Sequence, residues 1–155
     1  MSMIGFKICL ASESSGVVTL AGAPVEGATV KRYVKSDNNG KEFTHETTTD
    51  KDGRFSFPSV YMRSLLPLLM MIQPVTQQEV TVKHNGQEYL AWSLTKMNWE
   101  LDREVNNHQD IKNGNTKPFK VACDLSHPEK GNLIDSNSQG FYGRCSIENV
   151  AFEKQ

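Results

Sequence analysis

The chain has 155 residues, 37% of them hydrophobic and 23% charged, with a net charge of −1. That is enough for one domain with a real core, and the composition is that of a folded rather than a disordered chain. No run of Lys or Arg supplies the basic stripe that phosphate neutralisation needs, so nucleic acid is excluded as the expected partner.

Taken in chain order, residues Met1 to Leu10 are apolar but interrupted by Gly5 and Lys7, with Glu13 close behind, which does not fit an export signal. Phe6, Ile8 and Leu10 alternate with Lys7 and Cys9, which predicts a strand over Phe6–Leu10. Further strands are expected at Gly16–Leu20, Thr29–Val34, Phe43–Thr49, Arg54–Phe57, Glu79–His84, Gln87–Trp92, Phe119–Leu125 and Arg144–Phe152. Short strands at this spacing, with turn residues between them, point to an all-β antiparallel sandwich of about seven to nine strands in a single domain over residues 1–155.

Two stretches carry the clearest turn chemistry. In Gly22-Ala23-Pro24-Val25-Glu26-Gly27-Ala28-Thr29-Val30, Pro24 presets a turn, Gly27 permits an unusual backbone conformation, and Ala28 and Val30 share a face. In Thr49-Asp50-Lys51-Asp52-Gly53-Arg54-Phe55-Ser56-Phe57, the Asp52-Gly53 turn leads into Phe55 and Phe57 at period two. Asn85-Gly86 is the strongest hairpin signal. It opposes His84 to Gln87, Lys83 to Glu88, Val82 to Tyr89, Thr81 to Leu90 and Val80 to Ala91. A second hairpin is expected around Asp37 to Gly40. The inner face is expected to hold Val18, Leu20, Val30, Phe55, Phe57, Val80, Val82, Tyr89 and Val121, while Trp92 faces either way depending on whether a bulge precedes it.

Ser64 ahead of Leu65-Leu66-Pro67-Leu68-Leu69-Met70-Met71 suggests a short helical crossover to about Met71, either plugging the core or offering an apolar patch. The apolar run from Leu65 to Ile72 contains Pro67 and is too short to span a bilayer, so no membrane insertion and a cytoplasmic location are expected. Lys96 to Lys117 reads as a helical turn or two over Asn98 to Val105 followed by loop, and Ser126 to Gly140 as loop. Long loops in compact domains are often functional.

Chemistry is harder to find. Asp50-Lys51-Asp52-Gly53 looks superficially like a calcium loop but runs into a strand rather than a helix. His45, His84, His108 and His127 form no metal-ligand spacing, and a zinc site from Cys123, Cys145 and His127 is disfavoured. No nucleophile elbow or phosphate loop is present, and Asp124 reads as a strand-end residue. The expectation is no catalytic residue, no metal and no cofactor. With no export signal, Cys9, Cys123 and Cys145 are expected to be three free thiols, the alternative being a Cys123–Cys145 disulfide.

Gly16-Val17-Val18, Gly22-x-Pro24-Val25-x-Gly27-Ala28-x-Val30 and Thr49-Asp50-x-x-Gly53-x-Phe55-x-Phe57 together resemble the transthyretin-like, or carboxypeptidase-regulatory-like, β-sandwich family. Tyr89-x-x-Trp92 with Lys96, Cys123-Asp124-Leu125 and Gly143-Arg144-Cys145 are similar to a narrower set of bacterial single-domain proteins associated with type VI secretion. The wider fold also includes hydroxyisourate hydrolases and intradiol dioxygenases. The chain shows neither the Tyr-Arg-Gly-Ser ending of the first nor the two-Tyr, two-His iron set of the second. The resemblance therefore implies a non-catalytic binding module. The leading role is an immunity protein that occludes a cytoplasmic antibacterial toxin; the other is an adaptor that loads or delivers an effector. Candidate partner-binding residues are Tyr61, Trp99, Phe141 and Tyr142 as aromatic anchors, with Glu100, Asp102 and Glu104 against a basic surface.

Overall fold

Alternating apolar positions become strands wherever a computed structural model describes the chain, over residues 6–11, 13–36, 42–64, 75–97, 109–110, 115–116, 119–133 and 140–148. Among these residues there is no helix. The strands are β1 (Phe6–Ala11), β2 (Ser14–Leu20), β3 (Ala23–Pro24), β4 (Thr29–Ser36), β5 (Glu42–Thr48), β6 (Arg54–Phe57), β7 (Val60–Ser64) and β8 (Val75–His84). They continue with β9 (Gln87–Met97), β10 (Gln109–Asp110), β11 (Asn115–Thr116), β12 (Phe119–Asp124), β13 (Lys130–Leu133), β14 (Gly140–Gly143) and β15 (Cys145–Ile147).

Two large sheets form. One has the order β13-β14-β9-β8-β4-β5, and the other β15-β12-β2-β3 with β6 also paired to β2. β1 pairs with β7, and β10 with β11, as separate two-stranded ladders. Every pairing is antiparallel except β2 with β12, which run parallel from Ser14 and Phe119 to Thr19 and Asp124. Val18, Phe55, Phe57, Val121, Cys123 and Cys145 from one sheet meet Val30, Val80, Val82, Trp92 and Leu94 from the other in one buried cluster. The Phe55 and Trp92 rings stack with centroids 6.3 Å apart across that interface. The expected inner face is therefore the core, with Tyr89 half-buried against it. Leu20 is the exception at 39% exposure: it ends β2 beside the Ala21-Gly22 turn and overhangs the packed layer.

The β8–β9 hairpin turns through Asn85 (φ 52°) and Gly86 (φ 76°) with the expected register as far as Thr81 opposite Leu90. There it departs from expectation. Val80 faces Trp92, not Ala91, because Ala91 is the extra residue of a bulge. The bulge turns Trp92 onto the Val80 and Val82 side, where it is fully buried, with Nε1 donating to Gln78 Oε1 at 3.0 Å.

The expected strand Arg144–Phe152 is instead broken near its start. β14 lies beside β9 in one sheet and β15 beside β12 in the other, so the chain crosses the sandwich with Arg144 alone between them. Gly143, at φ 150°, lies beside the bulge, where an added Cβ would strike the Ala91 carbonyl oxygen and lie 2.6 Å from Trp92 Cα. Other differences are smaller. Lys130–Leu133 is a strand within the expected loop, and Gln109–Asp110 pairs with Asn115–Thr116. Ser64 ends β7 rather than starting a helix; the rest of the expected crossover, the Asn98–Val105 turn and the Asp37–Gly40 turn lie outside the described residues.

The expectation of three free thiols is also corrected. Cys123 and Cys145 are direct cross-strand partners, their Cα atoms 4.1 Å apart and both side chains buried, and they form a disulfide. The crossing at Gly143 and Arg144 turns Cys145 inward, opposite the inward-facing Cys123, and that is why the two meet. Closing a loop of this length contributes about 3 kcal/mol in the chain-entropy account.

Two expectations follow for stability and thiol chemistry. Gly143→Ala should lower stability by about 2–4 kcal/mol in chemical denaturation, because backbone atoms cannot give way. Gly86→Ala, which meets nothing within 4 Å, should cost only the φ strain of about 1–2 kcal/mol. Thiol titration in denaturant should count one reactive thiol, Cys9, before reduction and three afterwards.

Candidate functional site

The two sequence motifs tie one end of the sandwich together. The buried Thr49 hydroxyl donates to the Val25 carbonyl at 2.7 Å and accepts from the Ala28 amide at 2.9 Å. Asp50 Oδ1 accepts the Asp52 and Arg54 amides, each at 2.9 Å, and the Arg54 amide above all holds this carboxyl below its ordinary range. Gly53 (φ 79°) lies against β2, where its carbonyl accepts the Val18 amide at 2.8 Å. A Cβ there would strike the Val18 carbonyl oxygen.

Asp124 does similar work on the neighbouring loops. Its carboxylate accepts the Ala21 amide (3.1 Å), the Gly22 amide (2.9 Å), the Thr19 hydroxyl (2.9 Å), and the Ser126 hydroxyl (2.5 Å) and amide (2.9 Å). The Ser126 hydroxyl above all holds the carboxyl far below the usual range; desolvation opposes it, and the Ser126 and Gly22 amides and the Thr19 hydroxyl lower it further. Ala21, a non-glycine residue at φ 52°, is kept there by this clamp. Asp124 is thus a strand-end organiser, and its oxygens are committed to loop geometry.

Beside this end lies a surface cluster centred on the crossing residue. Arg144 Nη1 is 2.9 Å from Glu129 Oε1, and its guanidinium carbon is 5.2 Å from the Tyr89 ring centroid. The Tyr142 hydroxyl donates to Glu129 Oε2 at 3.0 Å, and that bond, with the carboxylate's charge, raises the phenol above its ordinary pKa. The Tyr142 ring is 44% exposed. One carboxylate thereby holds Tyr142 and Arg144, and the Arg144 guanidinium in turn covers the Tyr89 ring.

A second feature is a groove of about 570 Å³ on the outer side of the β2 sheet, lined by Ser15, Val17, Ser56 and Lys120 and reaching Thr47 and Thr48 at the end of β5. Asp50 and Arg54 stand on one side of it and Glu148 on the other. Among the described residues no three His, Cys, Asp or Glu side chains are placed to hold a metal ion, and no helix is long and apolar enough to cross a membrane.

Of the residues singled out from sequence, Tyr142 stands exposed in β14 opposite Ser93, and Phe141 precedes it opposite Leu94. Tyr61 is in β7 opposite Cys9, on a different ladder. Trp99, Glu100, Asp102 and Glu104 lie outside the described residues. Glu129, the partner of Tyr142, was missed, as were Arg144 and Tyr89, which join the cluster through it. The one local signal was the Gly143-Arg144 pair, which reads as a strand start unless the sheet change is known.

The comparisons give one family. Residues 14–128 match the family described as Domain of unknown function (DUF6795). The chain belongs to that family. The match runs from the first residue of β2 into the loop after β12, so it includes both turn motifs, Asp124 and Cys123, while Glu129, Tyr142, Arg144 and Cys145 follow it. No curated protein and no solved structure matches.

The Asp124 clamp has a pH consequence with a definite sign. A carboxyl depressed in the folded state adds stability above its unfolded pKa, and that stability is lost as pH falls through the folded value. Asp124→Asn should lower stability at pH 7 by about 1 kcal/mol once solvent screening is allowed for. Below pH 4 its stability should fall less steeply than that of the parent, read as midpoints of urea unfolding across pH.

Proposed function

We propose that the chain is a non-catalytic protein-binding module, an immunity protein that neutralises a secreted antibacterial toxin of type VI secretion by covering its working surface. The observation that carries this reading is the Tyr142 cluster. An exposed aromatic ring and a guanidinium are pre-set by Glu129, and such groups dominate protein interfaces while losing little conformational freedom on docking. An exposed ion pair like Arg144–Glu129 adds only about 0–1 kcal/mol to folding, so stability alone gives little reason for the arrangement. The resemblance of Tyr89-x-x-Trp92, Cys123-Asp124-Leu125 and Gly143-Arg144-Cys145 to type VI-associated proteins supports the biological setting.

The Cys123–Cys145 bond bears on where the toxin is met. Disulfides persist in oxidising compartments and are reduced by the cytosolic thiol pool, so the bond favours an encounter outside the cytosol. A cytosolic site requires both thiols to remain reduced in the cell, which acid trapping and alkylation of whole cells reads directly.

Co-expression with the product of the neighbouring gene tests the role. The expected result is a stable complex, loss of the toxin's activity and protected cells. Tyr142→Ala should weaken the complex by about tenfold or more. The variant's melting temperature should stay within about 2 °C, since the ring is exposed. A complex that leaves the effector active favours an adaptor for loading or delivery instead. No complex and no protection overturns both.

A further inference from the structure

Edge strands expose unpaired amide and carbonyl groups, and folded proteins guard them by shortness, proline, lysine or bulges. In the two large sheets, β15 has three residues, β3 has two including Pro24, β6 has four and is followed by Pro58, and β13 has four including Lys130. β5 is different. It runs seven residues, Glu42-Phe43-Thr44-His45-Glu46-Thr47-Thr48, with no proline, lysine or glycine. Its register with β4 is unbroken from Thr48 opposite Thr29 to Glu42 opposite Lys35, and among the described residues no strand pairs with its other side.

The outward faces show a charge order. Lys31 and Lys35 of β4 stand opposite Glu46 and Glu42 of β5, so the sheet steps from cations to anions and ends on anions. Glu42, Thr44 and Glu46 are exposed, whereas Phe43, His45 and Thr47 on the other face are half-buried. At the Thr47–Thr48 end, the strand opens into the groove floored by Ser15, Val17 and Ser56.

We infer that β5 is the docking edge for an extended segment of a partner protein, which joins the sheet as a further strand and carries Lys or Arg at two positions four residues apart. Residues four apart on a strand share a face, so the two cations meet Glu42 and Glu46, the residues next to them on the inner side lie beside Phe43 and His45, and the residue beyond the cation at Glu46 lies beside Thr47. Main-chain hydrogen bonds supply the affinity and the spacing of the cations the selectivity. A second copy of the chain fits less well. Antiparallel pairing about His45 sets Glu42 against Thr48 and Glu46 against Thr44, with no cation, and brings two imidazoles together beside two Arg32 side chains. This inference rests on the protein-binding reading above and specifies where and what the partner offers.

The test uses the full chain and a labelled seven-residue peptide with valine at odd positions, lysine at the second and sixth, and threonine at the fourth. Its partners are a glutamate-for-lysine peptide and a version N-methylated along one edge. The lysine peptide should bind at least tenfold more tightly than either. Glu42→Lys with Glu46→Lys, checked for folding by circular dichroism, should reverse the preference between the charged peptides. Equal binding of both charged peptides, no binding of either, insensitivity to N-methylation, or a β5-dependent dimer in sedimentation overturns the inference. In the co-expression assay, a double variant that still protects cells overturns the edge while leaving the protein-binding role standing. Absence of any complex with the parent chain removes that role, and the peptides still decide the edge.

Discussion

The bulge at Ala91 is the constraint on which much of the rest depends. One extra residue in β9 changes the facing of everything beyond it, so Trp92 enters the core and stacks on Phe55 from the other sheet. The strand that lies against the bulge must then do without a side chain at the contact, and Gly143 occupies that position. A glycine there also frees the backbone to leave its sheet at once. The crossing places Arg144 at the corner, where it reaches Glu129 and the Tyr89 ring, and delivers Cys145 to Cys123 inside. Core packing, surface cluster and disulfide are consequences of one local irregularity.

This explains which features could be read in the sequence. Local turn chemistry was legible because it depends on few residues: Asn85-Gly86 fixed the hairpin register for its first four pairs, and Gly27, Thr49, Asp50 and Gly53 marked the knotted end. Period-two alternation identified most of the core in the same way. Bulges and crossings have no comparable signature. Ala91 is an unremarked small residue, Ala21 adopts a conformation that sequence assigns to glycine or asparagine, and Gly143-Arg144-Cys145 looks like the start of an ordinary strand. The surface cluster was out of reach for the same reason, since Tyr89, Glu129 and Arg144 come from three separated segments and meet only because of the crossing. The thiol expectation was argued from compartment, whereas the bond follows from geometry: β12 and β15 pair so that Cys123 stands directly opposite Cys145.

The two ends of the sandwich are organised differently. At the end holding Asp50, Asp124 and the Asn85-Gly86 turn, carboxylates and the Thr49 hydroxyl satisfy the loop amides. Towards the other end, the inward face of β4 and β8 changes from Val30, Val80 and Val82 to Arg32, Gln78 and Thr76, all buried. Arg32 is fully enclosed, with its guanidinium 4.9 Å from the Phe57 ring centroid and Nη2 donating to the Pro58 carbonyl at 2.5 Å. It separates the main core from a smaller one of Ala11, Val34 and Val60, with Phe43 beside it. Burial, and then the charge of Arg32, hold the neighbouring His45 below its ordinary pKa.

A buried cation and amide in place of valines cost stability and are tolerated only where their hydrogen bonds are made. Here the accounts do not fully balance. Gln78 spends its carbonyl on Trp92, but its Nε2 and the Ser14 hydroxyl, both buried, find no partner among the described residues. An unmet group of this kind costs roughly 1–3 kcal/mol unless water reaches it. Local opening of a fold begins where burial is least rewarded, so this end should separate before the carboxylate-tied end does. Gly143, Arg144 and the disulfide lie away from that end, although the buried Arg144 Nε also finds no partner among the described residues. The geometry of the surface cluster is thus fixed by the crossing at Gly143 and by the two bonds that Arg144 Nη1 makes, to Glu129 Oε1 and to the Leu90 carbonyl, and not by complete satisfaction of its guanidinium.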